Sequence, residues 1–231
     1  MRKMIRNFYK DIASGLKEGL IEMTSVRWFF VLIGFFVFLV IGCFGSRTVI
    51  MGDQYVLEYA SPQLDDLVPL KEAIKVERFS SSADNDSYAM VCRQKPFLRQ
   101  VNPYARWRIL PADMISDKIV RDLRNVKIFR AVFSWRDTQP ARFVIQGEVE
   151  EFLKLEGGND AAARLDIRIK LLDTKTRDAV DRIVSTKEYK IEEPILSETA
   201  EEYAAAMSRA TAHFSADLLR NIYQTVKERT L

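Results

Sequence analysis

Residues 142–152 read RFVIQGEVEEF. On an extended chain Phe143, Ile145 and Val149 fall on one side, and Val144, Gln146, Glu148 and Glu150 on the other. A period of two with one dry and one wet side predicts a half-buried strand. The pattern repeats at once. Gly157-Gly158 makes a turn, and in RLDIRIKLL (164–172) Leu165, Ile167, Ile169 and Leu171 alternate with Arg164, Asp166, Arg168 and Lys170. DTKTRD (173–178) turns again, and RIVSTKEYKI (182–191) supplies a third strand. Three such strands joined by turns predict an antiparallel meander with one solvated face.

On the C-terminal side the period changes to that of a helix. Tyr203, Met207, Ala210, Phe214, Leu218 and Val226 form one stripe, with Ser197 as the predicted N-cap. On the N-terminal side, PADMISDKIVRDLRNV (111–126) places Ile115, Ile119, Leu123 and Val126 on a second stripe. Pro111 opens it, and Asp113 sits in the first turn, where the helix dipole favours negative charge. Short strands are predicted in QYVLEYASP (54–62), IKVERF (74–79), YAMVCR (88–93) and FRAVFSW (129–135), with FLRQVNPYARW (97–107) extended. DDLVPLKEA (65–73) and SSSADNDS (80–87) read as loops. Tyr88, Met90 and Cys92 share a strand face, which makes Cys92 a small core residue. The expected fold class is α+β: a mostly antiparallel sheet with a middle helix and a long C-terminal helix packed on it, preceded by an N-terminal membrane or signal segment.

That segment is read from charge and hydropathy. Trp28 to Phe44 holds no charged residue, and its strictly apolar core, WFFVLIGFFVFLVI (28–41), is 14 residues long. A signal-peptide core has about this length, whereas a spanning helix wants about 20. Counting on to Gly45 stretches it to about 18, so an uncleaved helix stays open. Val40, Ile41 and Gly42 before Cys43 resemble a bacterial lipobox. A small residue at Gly42 lets a peptidase reach extended backbone, and lipid transfer needs the Cys43 thiol. Residues 4–22 carry Ile5, Phe8, Ile12 and Leu16 beside basic residues, an amphipathic helical pattern. Met23 would give a signal of ordinary proportions, so Met1 and Met23 are both open as starts. The expected organisation is a leader at 1–42, a linker at 43–54 and a domain at 55–231.

Of 35 basic and 32 acidic residues, six basic and three acidic precede Cys43, which leaves 29 of each in the remainder. A neutral body argues against a nucleic-acid partner, and Trp28, Trp107 and Trp135 are not spaced as a stacking platform. With Cys43 lipidated, Cys92 has no partner in the chain and no disulfide is expected. One histidine, His213, excludes His-rich metal sites; it reads as a partly exposed structural residue beside the C-terminal stripe. No phosphate-binding loop and no nucleophile elbow occur, so no cofactor and no catalytic residue is expected. Glu148 and Glu150 form the one conceivable acid–base pair, of a hydrolase, but Arg164, Arg168 and Lys170 on the next strand favour surface ion pairs instead.

The blocks DQYVLEYASP, IKVERFSSSADNDSYAMVCR, NPYARWRILPADMISDKIVRDLRNVKIFRAVFS, FVIQGEVEEFLKLEG and ARLDIRIKLLDTKTRDAV resemble, in order and spacing, the ABC-type transport auxiliary lipoproteins, the family of paraquat-inducible protein C. The resemblance runs from Tyr55 to Val226. Its most specific marks are Tyr104, Trp107 and Pro111, the GEVEEF strand and the LLDTKT turn. Cys92, where an aromatic is expected, and the long leader depart from it. The resemblance implies a non-enzymatic lipoprotein on the periplasmic face of a Gram-negative envelope, lipidated at Cys43. Phe44 after the cysteine implies the outer membrane; an uncleaved helix would instead imply the inner one. Implied partners are an ABC transporter permease or a mammalian-cell-entry domain protein, membrane lipid, and further copies of the chain, some members forming rings. The alternative is an envelope assembly module on a single helix, unrelated to transport.

Overall fold

A computed structural model describes residues 52–230, apart from 65–66 and 158–160. The expectations for the leader, Val40, Ile41, Gly42 and Cys43 fall outside the described residues. Residues 51–231 form one compact unit. The described buried core residues of this unit run from Leu57 to Val226, a core of its own of the kind that supports independent folding.

The strand at 142–152 is the spine of the fold. It becomes β7 (Phe143–Leu155), and β8 (Ala162–Asp173) and β9 (Ile183–Pro194) complete the meander. β8 pairs antiparallel with β7 along its whole length, from Phe143↔Asp173 to Leu155↔Ala162, and β9 pairs antiparallel with β8. Phe143, Ile145, Val149, Leu165, Ile167, Ile169 and Leu171 are buried as their spacing requires. A bulge at Glu150, between the Val149 and Glu151 pairings, then resets the alternation. Beyond it Phe152, Leu153 and Lys154 are all buried.

The other side of β7 is long enough for three short strands end to end. β2 (Leu70–Val76) pairs with Phe143–Ile145, β3 (Ser80–Ser81) with Glu148–Val149, and β4 (Ala89–Lys95) with Lys154–Leu155, all parallel. β5 (Leu98–Trp107) folds back antiparallel on β4, β6 (Phe129–Phe133) lies parallel beyond β2, and β1 (Asp53–Tyr55) lies parallel beyond β5. The nine-stranded sheet is thus mixed. Its long ladders are antiparallel, and its short additions are mostly parallel.

Helix α1 (Pro111–Val126) and helix α2 (Ala200–Thr230) pack on the sheet. Pro111 is at the start of α1, and Ile115, Ile119 and Leu123 are fully buried. Lys127 closes the helix in the left-handed region, with φ 56°. The predicted stripe of α2 is buried throughout. Its cap is Thr199 rather than Ser197: the Thr199 Oγ1 accepts the Glu202 amide at 3.1 Å. The Ile195 amide still donates to Ala161, which holds the chain to the sheet too long for a cap at Ser197.

Three local expectations change. The first strand ends at Tyr55 instead of running to Tyr59, because Leu57 turns into the core and Tyr59 turns to Asp122. Leu70–Ala73, read as loop, is the first half of β2. Tyr88 lies just before β4 and is exposed, whereas Met90 is buried and Cys92 only half-buried, so Cys92 is not a full core residue. Among the described residues no helix is long and apolar enough to cross a membrane.

Candidate functional site: the cleft beneath the β4–β5 hairpin

A recess of about 540 Å³ lies between the β4–β5 hairpin and the first turn of α2. A volume of this order suits a small ligand. Met90 and Cys92 come from β4, Val101 and Pro103 from β5, Lys154 from β7, and Tyr203 from α2. The bulge at Glu150 is what turns Lys154 inward. Its ammonium donates to Glu198 at 2.5 Å and pairs with Glu156 at 2.8 Å. Burial acts to lower the Lys154 pKa, but its hydrogen bonds to the two carboxylates outweigh that and hold it above the usual lysine range. The same contact with Lys154 holds Glu156 below the usual carboxylate range.

Two further groups sit in this wall. Tyr203 is 3% exposed, and its hydroxyl has no hydrogen-bond partner among the described residues. Burial pushes its pKa up. Burial, then the negative charge of Glu156, also push the Cys92 thiol up, so it stays protonated at neutral pH. The cleft therefore offers a neutral phenol, a neutral thiol and a neutralised lysine. That set can hold a polar or amphipathic group.

The sequence-marked residues lie apart from one another. Pro111 starts α1. Trp107 is fully buried and meets Phe152 and Tyr203 edge-on, at centroid distances of 5.1 and 5.6 Å. Tyr104 is exposed on β5. Trp107 thus supports the cleft from behind through Tyr203, while Tyr104 faces solvent on the hairpin. Nothing in the local sequence pattern pointed to Lys154 or to Tyr203 as lining residues. The inward lysine depends on a bulge, and Tyr203 was legible only as part of the helix stripe.

The sheet face away from the helices carries rows of charge. Arg168 pairs with Glu150 at 2.5 Å, Glu188 at 3.2 Å and Glu148 at 3.5 Å. Arg164 pairs with Glu151, Asp166 and Glu192, and Arg93 also reaches Glu151. Glu148 and Glu150 are therefore held by cross-strand Arg168, as the alternation of signs along β7 and β8 predicts. His213 is exposed on α2 with its Nδ1 2.6 Å from Glu193. Among the described residues no cluster of three or more His, Cys, Asp or Glu is placed to hold a metal ion.

Residues 55–218 match the family described as the ABC-type transport auxiliary lipoprotein component. The fold is similar to that of a Xanthomonas campestris protein of the family DUF330, with 20% identity, a TM-score of 0.70, and coverage of 78% of this chain and 99% of that one. It is also similar to a hypothetical protein of Chlamydia trachomatis, with 9% identity, a TM-score of 0.52, and coverage of 68% and 98%. At these identities the likeness is one of fold alone. No curated protein sequence matches the chain.

Proposed function

This chain belongs to the ABC-type transport auxiliary lipoprotein component family, and we propose that it is a non-enzymatic lipoprotein that docks or assembles an ABC transport system of the mammalian-cell-entry type. The system moves lipid between the inner and outer membranes of a Gram-negative envelope. The protein stands on the periplasmic face, held in the outer membrane by lipid on Cys43, after removal of residues 1–42. Residues 43–54 link the anchor to the working domain, 55–231.

The family match over residues 55–218 carries this reading. The lipobox-like Val40-Ile41-Gly42-Cys43 supports the anchor. The cleft supports a binding role over a catalytic one, since its thiol is kept protonated and its carboxylates are tied to Lys154. Partners are an ABC permease or a mammalian-cell-entry domain protein, with other copies of the chain.

The test is chemical crosslinking in cells followed by purification of the tagged full-length chain under denaturing conditions. Crosslinks to a permease or a mammalian-cell-entry domain protein are expected at stoichiometric yield. A crosslinked set made up of unrelated envelope proteins, with neither partner present, contradicts the proposal.

A further inference from the structure

The β4–β5 hairpin is unlike the rest of the surface. Phe97, Leu98, Val101 and Tyr104 are all exposed within eight residues. Lys95 pairs with Leu98, so Pro96 and Phe97 alone make the turn, and Phe97 is fully exposed at its tip. The Arg99 guanidinium donates to the Pro96 carbonyl at 3.3 Å, which steadies that turn. Between Val91 and Leu110 the chain has five basic residues, Arg93, Lys95, Arg99, Arg106 and Arg108, and no acidic one. In a body whose charges balance as a whole, this is a local basic run beside an apolar tip, of which Arg93 is paired with Glu151.

The direction of the chain places this tip. β1 runs parallel to β5, with Asp53 opposite Ala105 and Tyr55 opposite Trp107. Going backwards from Asp53 therefore leads towards the tip. Gly52 already lies on that line: a Cβ there would stand 2.6 Å from the Tyr104 carbonyl oxygen. The polypeptide enters the domain from the side on which Phe97 projects. From Tyr104 to Leu98 the strand reaches at most about 20 Å further that way. The nine steps of chain from Cys43 to Gly52 span at most about 30 Å. A tip on this side can touch the bilayer that holds the N-terminal segment.

We infer that the β4–β5 hairpin is a second membrane contact, with Phe97 and Leu98 entering the interfacial layer and Lys95 and Arg99 meeting anionic headgroups. Aromatic and long basic side chains are the residues that settle at this depth, the former by their apolar bodies and the latter by snorkelling. The opposite sheet edge shows the contrast. β9 carries Lys187, Glu188, Lys190 and Glu192, the mixed charges that keep an edge in water. A symmetric contact between two hairpins would bring like charges together, and Pro103 interrupts the donors along β5. Both disfavour a twofold pairing of hairpins as the occupant. The inference takes from the proposed function only the side on which the bilayer lies.

The test uses residues 52–231, which lack Cys43 and so answer independently of its lipidation. Their flotation is compared on phosphatidylcholine vesicles and on vesicles with one third phosphatidylglycerol. At low salt the anionic vesicles are expected to bind at least tenfold more tightly. The double variant Phe97→Ser, Lys95→Glu loses that preference, while Lys187→Glu on β9 keeps it. Equal binding to both vesicles, or a preference that survives the double variant, overturns the inference. So does a hairpin variant that dissociates an oligomer while leaving vesicle binding unchanged, since a second copy would then be the occupant.

Discussion

Asp122 is fully buried on α1, and removing its carboxylate tests how the first described segment is held to the helices. It accepts hydrogen bonds from the Tyr59 hydroxyl at 2.8 Å, the Ser61 hydroxyl at 2.7 Å, the Ser215 hydroxyl at 2.6 Å and the Arg121 Nε at 2.9 Å. One group thereby ties the chain after β1 to α1 and α2 at once. In Asp122→Ala, Arg121 and Ser61 can turn to water, but Ser215 is wholly buried and Tyr59 largely so. Each orphaned buried donor costs about 1–3 kcal/mol, and the site loses further contacts, so the expected total is about 3–5 kcal/mol. For a domain of this size that lowers Tm by about 10 °C. Urea melts of residues 52–231 followed by circular dichroism give the value directly. Ser215→Ala should cost about 1–2 kcal/mol alone and almost nothing when Asp122 is already alanine, because Ser215 acts through it. A loss below about 1 kcal/mol for Asp122→Ala, or fully additive costs, would refute the reasoning.

Other outcomes follow from single contacts. A methyl group at Gly147 would meet three atoms of the buried Phe79 ring at 2.6 to 2.8 Å. Gly147→Ala is therefore expected to cost about 1–3 kcal/mol and to be partly rescued by Phe79→Leu in the same urea melts. Burial alone would raise the Asp173 carboxyl, but Arg142 and the Lys175 amide outweigh it and hold it below the usual aspartate range. Its stabilisation is thus complete above about pH 4 and fades as pH falls through the lower folded value. Asp173→Asn should lower stability at pH 7 and flatten the acid limb of a stability–pH curve; an unchanged acid limb refutes the assignment. The Cys92 thiol, pushed up by burial and Glu156, should react with a disulfide reagent at pH 7.5 more slowly than the same thiol in urea, and equal rates count against it.

The meander and both helices are written in local periods. Alternation in 142–152 and 164–172 needs no distant partner to be read, and Ile115, Ile119 and Leu123 mark α1 by spacing alone. The parallel additions to β7 leave no such trace. Val76 meets Ile145 and Ser81 meets Val149 across nearly seventy residues of chain, and no short-range pattern records either pairing. The β4–β5 hairpin escaped for a different reason. Its turn is Pro96-Phe97, without the Asn-Gly or Gly pairs that announce a two-residue turn, so its two strands read as separate segments. Asp122 reads as one more charged residue of an amphipathic helix. Only tertiary packing shows that Tyr59, Ser61 and Ser215 converge on it. The cleft depends on the bulge at Glu150, which breaks the alternation that made β7 legible and turns Lys154 inward.

The anchor is the point on which the functional account turns, and intact-mass spectrometry of the full-length protein extracted from membranes tests it most directly. The account predicts a chain that begins at Cys43 and carries the added mass of a diacylglyceryl group and an N-acyl chain, with Cys43→Ser retaining residues 1–42 unprocessed. A mature chain that keeps those residues and a bare Cys43 sulfur would contradict it.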